Sequence, residues 1–121
     1  MQICYNDNMQ VRSKIWIEIN GKPVFGSGRE ALFKAIDKFG SINKAARDIN
    51  ISYRKALSYI QTMEQRLGTK LVERKTGGVN GGGASLTGDA RDFLKKYERL
   101  EHGVHEILDR KFLKIFGSRG R

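Results

Sequence analysis

Cysteine is nearly missing from this sequence: Cys4 is the only one in 121 residues. An internal disulfide framework and a cysteine-rich zinc site are both excluded. Long apolar runs are missing too, none approaching the ~20 residues needed to span a bilayer. The N-terminus shows no charged-then-apolar leader pattern, so nothing points to export. Acidic charge is scarce, with 13 Asp and Glu against 23 Lys and Arg and a formal net charge of +10. A polyanion is the natural partner of such a chain, nucleic acid first and an anionic membrane surface a weaker second. No catalytic arrangement can be assembled either. His102 and His105 stand three apart but lack a third ligand, so a solvated or interface role fits them better than a metal. Asp89 and Asp92 are explained by a helix dipole. The expectation is a cytoplasmic, nucleoid-associated protein that is not an enzyme, with no metal, cofactor or membrane partner.

Hydrophobic residues make up 39% of the chain, enough for one globular domain or a domain plus an extra helix. Residues 1–13 are polar and without period, which predicts a flexible arm. From Lys14 the pattern alternates, with Ile15, Ile17 and Ile19 on one side and Trp16 and Glu18 on the other, a half-buried strand. Asn20-Gly21 then signals a tight hairpin turn, and Lys22 to Phe25 return, with Pro23 confining that strand to an edge. Ser27-Gly28-Arg29-Glu30 reads as a capping box. Ala31, Leu32, Ala35, Ile36 and Phe39 make the apolar face of the helix it would start, and Gly40 supplies a left-handed stop.

Ser41 can cap a second helix whose inner face is Ile42, Ala45, Ala46 and Ile49. Asn50 sits at a sharp turn, where asparagine tolerates positive φ, and Ser52 caps a third helix running to Leu67 before Gly68. Two short helices joined this way are the helix-turn-helix pattern. On a wheel at ~100° per residue, Ala56, Leu57, Ile60, Met63 and Leu67 form the inner arc. Arg54, Lys55, Ser58, Gln61, Thr62, Gln65 and Arg66 form the outer one. Leu71 to Arg74 and Ala84 to Leu86 can pair as strands around a glycine-rich tip, Lys75 to Gly83, too glycine-rich to pack. A phosphate-binding loop is the rival reading. Gly78 to Ser85 almost fits G-x-x-x-x-G-K-S, but Ala84 stands where the lysine must reach the phosphates.

The run GSINKAARDINISYRKALSYIQTMEQRLGTKLVERKTGGVNGGGASLT resembles the N-terminal DNA-binding domain of molybdate-responsive transcription regulators of the ModE type, winged-helix relatives of the LysR-type regulators. The alanine pair, the I-S-Y opening of the third helix, L-V-E-R, the T-G-G before further glycines and the closing L-T carry the likeness, which extends over Lys14 to about Ile107. Asn50 departs from the glycine common at this turn. The 121 residues leave no room for the molybdate-binding domains of full-length members, so a DNA-reading half without oxyanion sensing is expected.

Thr87 can cap a final helix on which Phe93, Tyr97, Leu100, Val104 and Ile107 recur in a heptad-like seam. The resemblance implies that this helix mediates dimerisation; folding back on its own domain is the alternative. The expected fold is mainly α with small β elements, a winged helix-turn-helix with an N-terminal β-hairpin and a long C-terminal helix. Its parts are an arm (1–13), the DNA-binding domain (14–87), the dimerisation helix (88–116) and a basic tail (117–121). Base contacts are expected from Ser52, Tyr53, Arg54, Lys55 and Ser58, with Tyr53 equally readable as a packed ring. Backbone contacts are expected from Ser41, Asn43, Lys44, Thr62, Arg74, Lys75, Thr76, Gly77 and Gly78. The expected partner is double-stranded DNA, bound by a homodimeric, sequence-specific regulator. A sequence-blind architectural protein or an accessory protein-interaction module are the alternatives.

Overall fold

A computed structural model describes residues 8–75 and 83–117. The order is β1 (Ile17–Ile19), β2 (Lys22–Phe25), α1 (Ser27–Phe39), α2 (Ile42–Asp48), α3 (Tyr53–Leu67), β3 (Val72–Lys75), β4 (Gly83–Leu86) and α4 (Gly88–Phe116). Each strand pair is an antiparallel two-stranded sheet. Among the described residues no helix is long and apolar enough to cross a membrane.

The first hairpin forms as its residues require. Asn20 and Gly21 both have positive φ, 52° and 76°, the backbone of a tight two-residue turn. Pairing joins Ile17 to Phe25 but Glu18 to Pro23, so Val24 is an extra residue opposite the break. That bulge turns consecutive residues, Val24 and Phe25, into the core, which strict alternation does not predict. Phe25 then meets Phe33, Phe93 and Tyr97 edge-on, at 5.3, 5.1 and 4.9 Å between centroids.

α1 corrects two expectations. Its N-cap is Gly26, with no side-chain cap bond, so the Ser27–Glu30 capping box does not form. The helix starts one residue earlier than the box needs, and Glu30 instead pairs with Lys34. Its buried face is Leu32, Phe33, Ala35 and Ile36, while Phe39 turns outward. The arc is wide because α2, β4, β2 and α4 all touch this helix. Gly40 ends it in the left-handed conformation, and the Gly40 carbonyl accepts from the Ala84 amide at 2.9 Å, tying the second hairpin to the α1–α2 corner.

α4 has two unlike halves. Ala90 and Tyr97 are buried, and Phe93 and Leu94 pack on the same core. The Tyr97 hydroxyl donates to the Ile15 carbonyl at 3.0 Å. Burial, reinforced by the charges of Glu101 and Glu30, pushes its pKa up to about 12. Farther along, Leu100 and Ile107 are each 50% exposed. The segment entering β1 runs beside this half. Ser13 shares a 2.9 Å hydrogen bond with His105, and Met9 to Arg12 line a groove with Asp109, Phe112 and Leu113.

Candidate nucleic-acid interface

α2 and α3 are held apart and angled by local chemistry. The Ser41 hydroxyl accepts from the Lys44 amide at 3.2 Å, and the Ser52 hydroxyl from the Lys55 amide at 3.0 Å, so both helices are capped as their sequences predict. Asn50 takes φ 66° in the turn between them. Ala45, Ala46 and Ala56 are fully or almost fully buried, the small side chains that let two helices cross closely.

α3 then presents one side to solvent. Arg54, Ser58, Gln61 and Gln65 are all exposed. They fall within roughly 60° of arc at ~100° per residue, a straight outward stripe. Gln61 and Gln65 extend the stripe beyond the first turns where base contacts were expected. They were on the outer arc from the sequence, and only the packed neighbours show that the arc stays open to the helix's last turn.

The remaining predicted contacts divide between the two flanks. Tyr53 is 44% exposed, and its hydroxyl accepts from Arg74 Nη1 at 3.3 Å, so it stands on the flank facing the second hairpin. Lys55 lies on the opposite flank, its ammonium 5.7 Å from the centre of the Tyr59 ring. Thr62 is half-buried on that side, and Arg66, on the same flank, donates to the Pro23 carbonyl. Asn43 and Lys44 are exposed at the start of α2.

The second hairpin is fixed at its base. Glu64 Oε2 accepts from the Leu71 and Val72 amides at 2.8 and 3.2 Å, joining β3 to α3. Thr87 closes the other end, its hydroxyl donating to the Lys70 carbonyl and accepting from the Ala90 amide. β3 and β4 pair from Val72–Leu86 to Lys75–Gly83 without a break. Arg74 and Lys75 are exposed on β3; Thr76, Gly77 and Gly78 lie outside the described residues.

The ion pairs lie away from the outward stripe. Every ion pair among the described residues joins side chains of α1 and α4: Lys34 with Glu30 and Glu98, Arg91 with Asp37, Lys96 with Asp92, and His102 with Glu106. Lys44, Arg54, Lys55, Arg74 and Lys75 have no carboxylate partner among those residues. Nor do the described residues hold a group of three or more His, Cys, Asp or Glu fit for a metal.

The predicted dimerisation seam is split. Tyr97 is 1% exposed and Phe93 packs on Phe25, so the hairpin of the same chain already covers both. Leu100, Val104 and Ile107 lie beyond that contact, with Leu100 and Ile107 facing out.

A capped helix pair, an outward polar stripe and a hairpin anchored beside it define a winged helix-turn-helix. Residues 30–91 match the family of bacterial regulatory helix-turn-helix proteins, lysR family, and the chain belongs to that family. It is similar to the transcriptional regulator ModE of Haemophilus influenzae, 40% identical over 67% of this chain and 33% of that one. It is also similar to the molybdenum-pterin-binding protein MopB of Rhodobacter capsulatus, 39% identical over 69% of this chain and 31% of that one. The DNA-binding transcriptional dual regulator ModE of Escherichia coli K12 is 37% identical over 84% of this chain and 38% of its own. The chain thus spans about a third of the length of these relatives. Among solved structures, the CbnR DNA-binding domain in its DNA complex superposes with a TM-score of 0.55 at 25% identity, over 69% of this chain and 91% of that one.

Proposed function

We propose that this chain is the DNA-reading unit of a sequence-specific transcription regulator. α3 lies in the major groove and the β3–β4 hairpin lies against the adjacent backbone or minor groove. The observation that carries the proposal is the charge around the outward stripe: Lys44, Arg54, Lys55, Arg74 and Lys75 are exposed there with no carboxylate partner among the described residues, which suits a polyanion. Arg54, Ser58 and Ser52, at the N-terminal end of the outward stripe, read base edges, and Arg54 suits the acceptor pair of a guanine. Lys44, Asn43, Arg74 and Lys75 hold phosphates, with Tyr53 steadying Arg74. A second copy docks on the outer half of α4 through Leu100, Val104 and Ile107, which places two reading helices on a roughly palindromic site.

Selection of bound duplexes from random sequence, repeated with Arg54→Ala, tests the reading. The expected result is a recovered motif with two half-sites, in which Arg54→Ala relaxes one base position by about 1–3 kcal/mol. Recovery of no motif, with binding that random DNA competes away, would identify a sequence-blind architectural protein instead. Sedimentation of the same sample as a monomer at micromolar concentration would remove the second copy.

A further inference from the structure

Two cations reach the Tyr59 ring on the flank of α3 that faces α1 and the first hairpin, and a third, Arg66, lies on the same flank. The Arg29 guanidinium stands 4.4 Å from the centre of the Tyr59 ring, over which Lys55 also reaches. Arg66, about two turns beyond Tyr59, donates to the Pro23 carbonyl and is near enough for its charge to act on Arg29. Burial lowers the Arg29 pKa, Tyr59 opposes that, and Arg66 lowers it again. Arg29 Nε is buried with no acceptor. No carboxylate among the described residues pairs with any of the three cations. Arg29 also sits in the first turn of α1, whose positive end adds charge of the same sign.

Like charges gathered beside a half-buried donor are unfavourable until an anion joins them. The Tyr59 ring relieves this only in part, since a cation–π contact is weaker than a charge-assisted hydrogen bond. A guanidinium fork flanked by further cations suits a tetrahedral oxyanion, phosphate above all.

The position of the cluster identifies the phosphate. Tyr53, Leu57 and Glu64 occupy the wing flank of α3; Lys55, Tyr59 and Arg66 occupy the other, with the outward stripe between them. A helix with its side chains is about 10–12 Å across, and the major groove is about 12 Å wide. Both flanks of a seated helix therefore approach phosphates, on opposite strands. We propose that Arg29, Lys55 and Arg66 form a binding site for a DNA backbone phosphate on the groove edge opposite the wing. The site rests on the DNA-reading function proposed above, and it would clamp α3 between two strands.

The test measures duplex affinity of the full chain against salt for the wild type, Lys55→Gln, Arg29→Gln and Arg66→Gln. Each variant is expected to bind about three- to tenfold more weakly near 0.15 M salt, with the slope of log affinity against log salt reduced by up to about 0.9, one phosphate's share, and the preferred sequence unchanged. Neutral methylphosphonate placed singly along the strand away from the wing should weaken the wild type at one position and leave Arg29→Gln indifferent there. Arg66 also ties down the first hairpin, so Lys55→Gln, at an exposed position, decides the matter if Arg66→Gln melts early. Salt-dependent wild-type binding with the slope intact in Lys55→Gln and Arg29→Gln overturns the site and leaves the DNA-reading function standing. Absence of salt-dependent wild-type binding overturns both. A separate titration follows the Arg29 Nε–H resonance with inorganic phosphate. Saturation below a millimolar, together with intact slopes in the variants, assigns the cluster to a free oxyanion and overturns the backbone phosphate.

Discussion

The chain contains two antiparallel hairpins with strands of three or four residues, and their construction is opposite. The first has a two-residue turn, Asn20-Gly21, and sends Val24 and Phe25 into the core. The second has seven residues between its strands, and of its described residues only Val72 and Leu86, at its base, are buried. Both pair antiparallel, the first across a bulge and the second without a break. What differs is where the side chains go: the first hairpin ends in an aromatic cluster, the second in exposed Arg74 and Lys75. A two-stranded sheet is marginal by itself in water. One hairpin overcomes that by burial. The other is held by hydrogen bonds, from Glu64 and Thr87 at its base and from the Gly40 carbonyl at Ala84, which leaves Arg74 and Lys75 exposed.

The largest expected effect comes from breaking the first hairpin's burial. Phe25→Ala removes a ring that touches three others, and a fully buried Phe→Ala typically costs about 3–5 kcal/mol. Chemical denaturation should show a loss in that range, while the fraction that stays folded binds duplex with unchanged affinity. A loss below about 1 kcal/mol would mean that the first hairpin, like the second, is held by its hydrogen bonds.

The second hairpin should answer in the other currency. Arg74→Ala combined with Lys75→Ala removes two exposed cations with no carboxylate partner among the described residues. Stability should move by less than about 0.5 kcal/mol, as for most surface substitutions. The salt slope of duplex binding should fall by about 1.8, two phosphates' worth. An unchanged slope would make the wing a structural hairpin like the first.

Much of this contrast was legible in the residues, for reasons that differ by element. Asn20-Gly21, Gly40, Asn50 and Gly68 mark their turns because positive φ is a property of one or two residues, and all take it. Ser41 and Ser52 cap their helices for the same local reason. The capping box at Ser27 failed although its spacing was right, because Gly26 is the cap and Ser27 is already the first residue of the helix. Phe33 and Phe39 were exchanged because periodicity reports one face, and α1 is covered on several. The seam on α4 was a true apolar repeat, but sequence spacing does not say which partner covers each member, and Phe25 takes Phe93 and Tyr97. The Arg29–Tyr59–Arg66 cluster had no signal at all, since it joins α1 to α3 across a long stretch of chain.

The smallest effect separates turn chemistry from burial within the first hairpin. Nothing lies within 4 Å of where a Cβ on Gly21 would stand, so Gly21→Ala meets no steric obstacle. Its whole effect is the backbone at φ 76°, a left-handed conformation that costs a residue with a Cβ roughly 1–2 kcal/mol. The reduced freedom of the unfolded chain offsets part of this strain, by about 0.4–1 kcal/mol, and leaves a net loss. Thermal melting should therefore fall by several degrees, with duplex affinity and salt slope untouched. Since Phe25 and the turn lie at opposite ends of β2, the Gly21→Ala and Phe25→Ala losses should add if the aromatic cluster holds the hairpin independently of its turn. A combined loss well short of the sum would show that once Phe25 is gone the hairpin no longer forms, and that Gly21 matters only while burial holds the strands together.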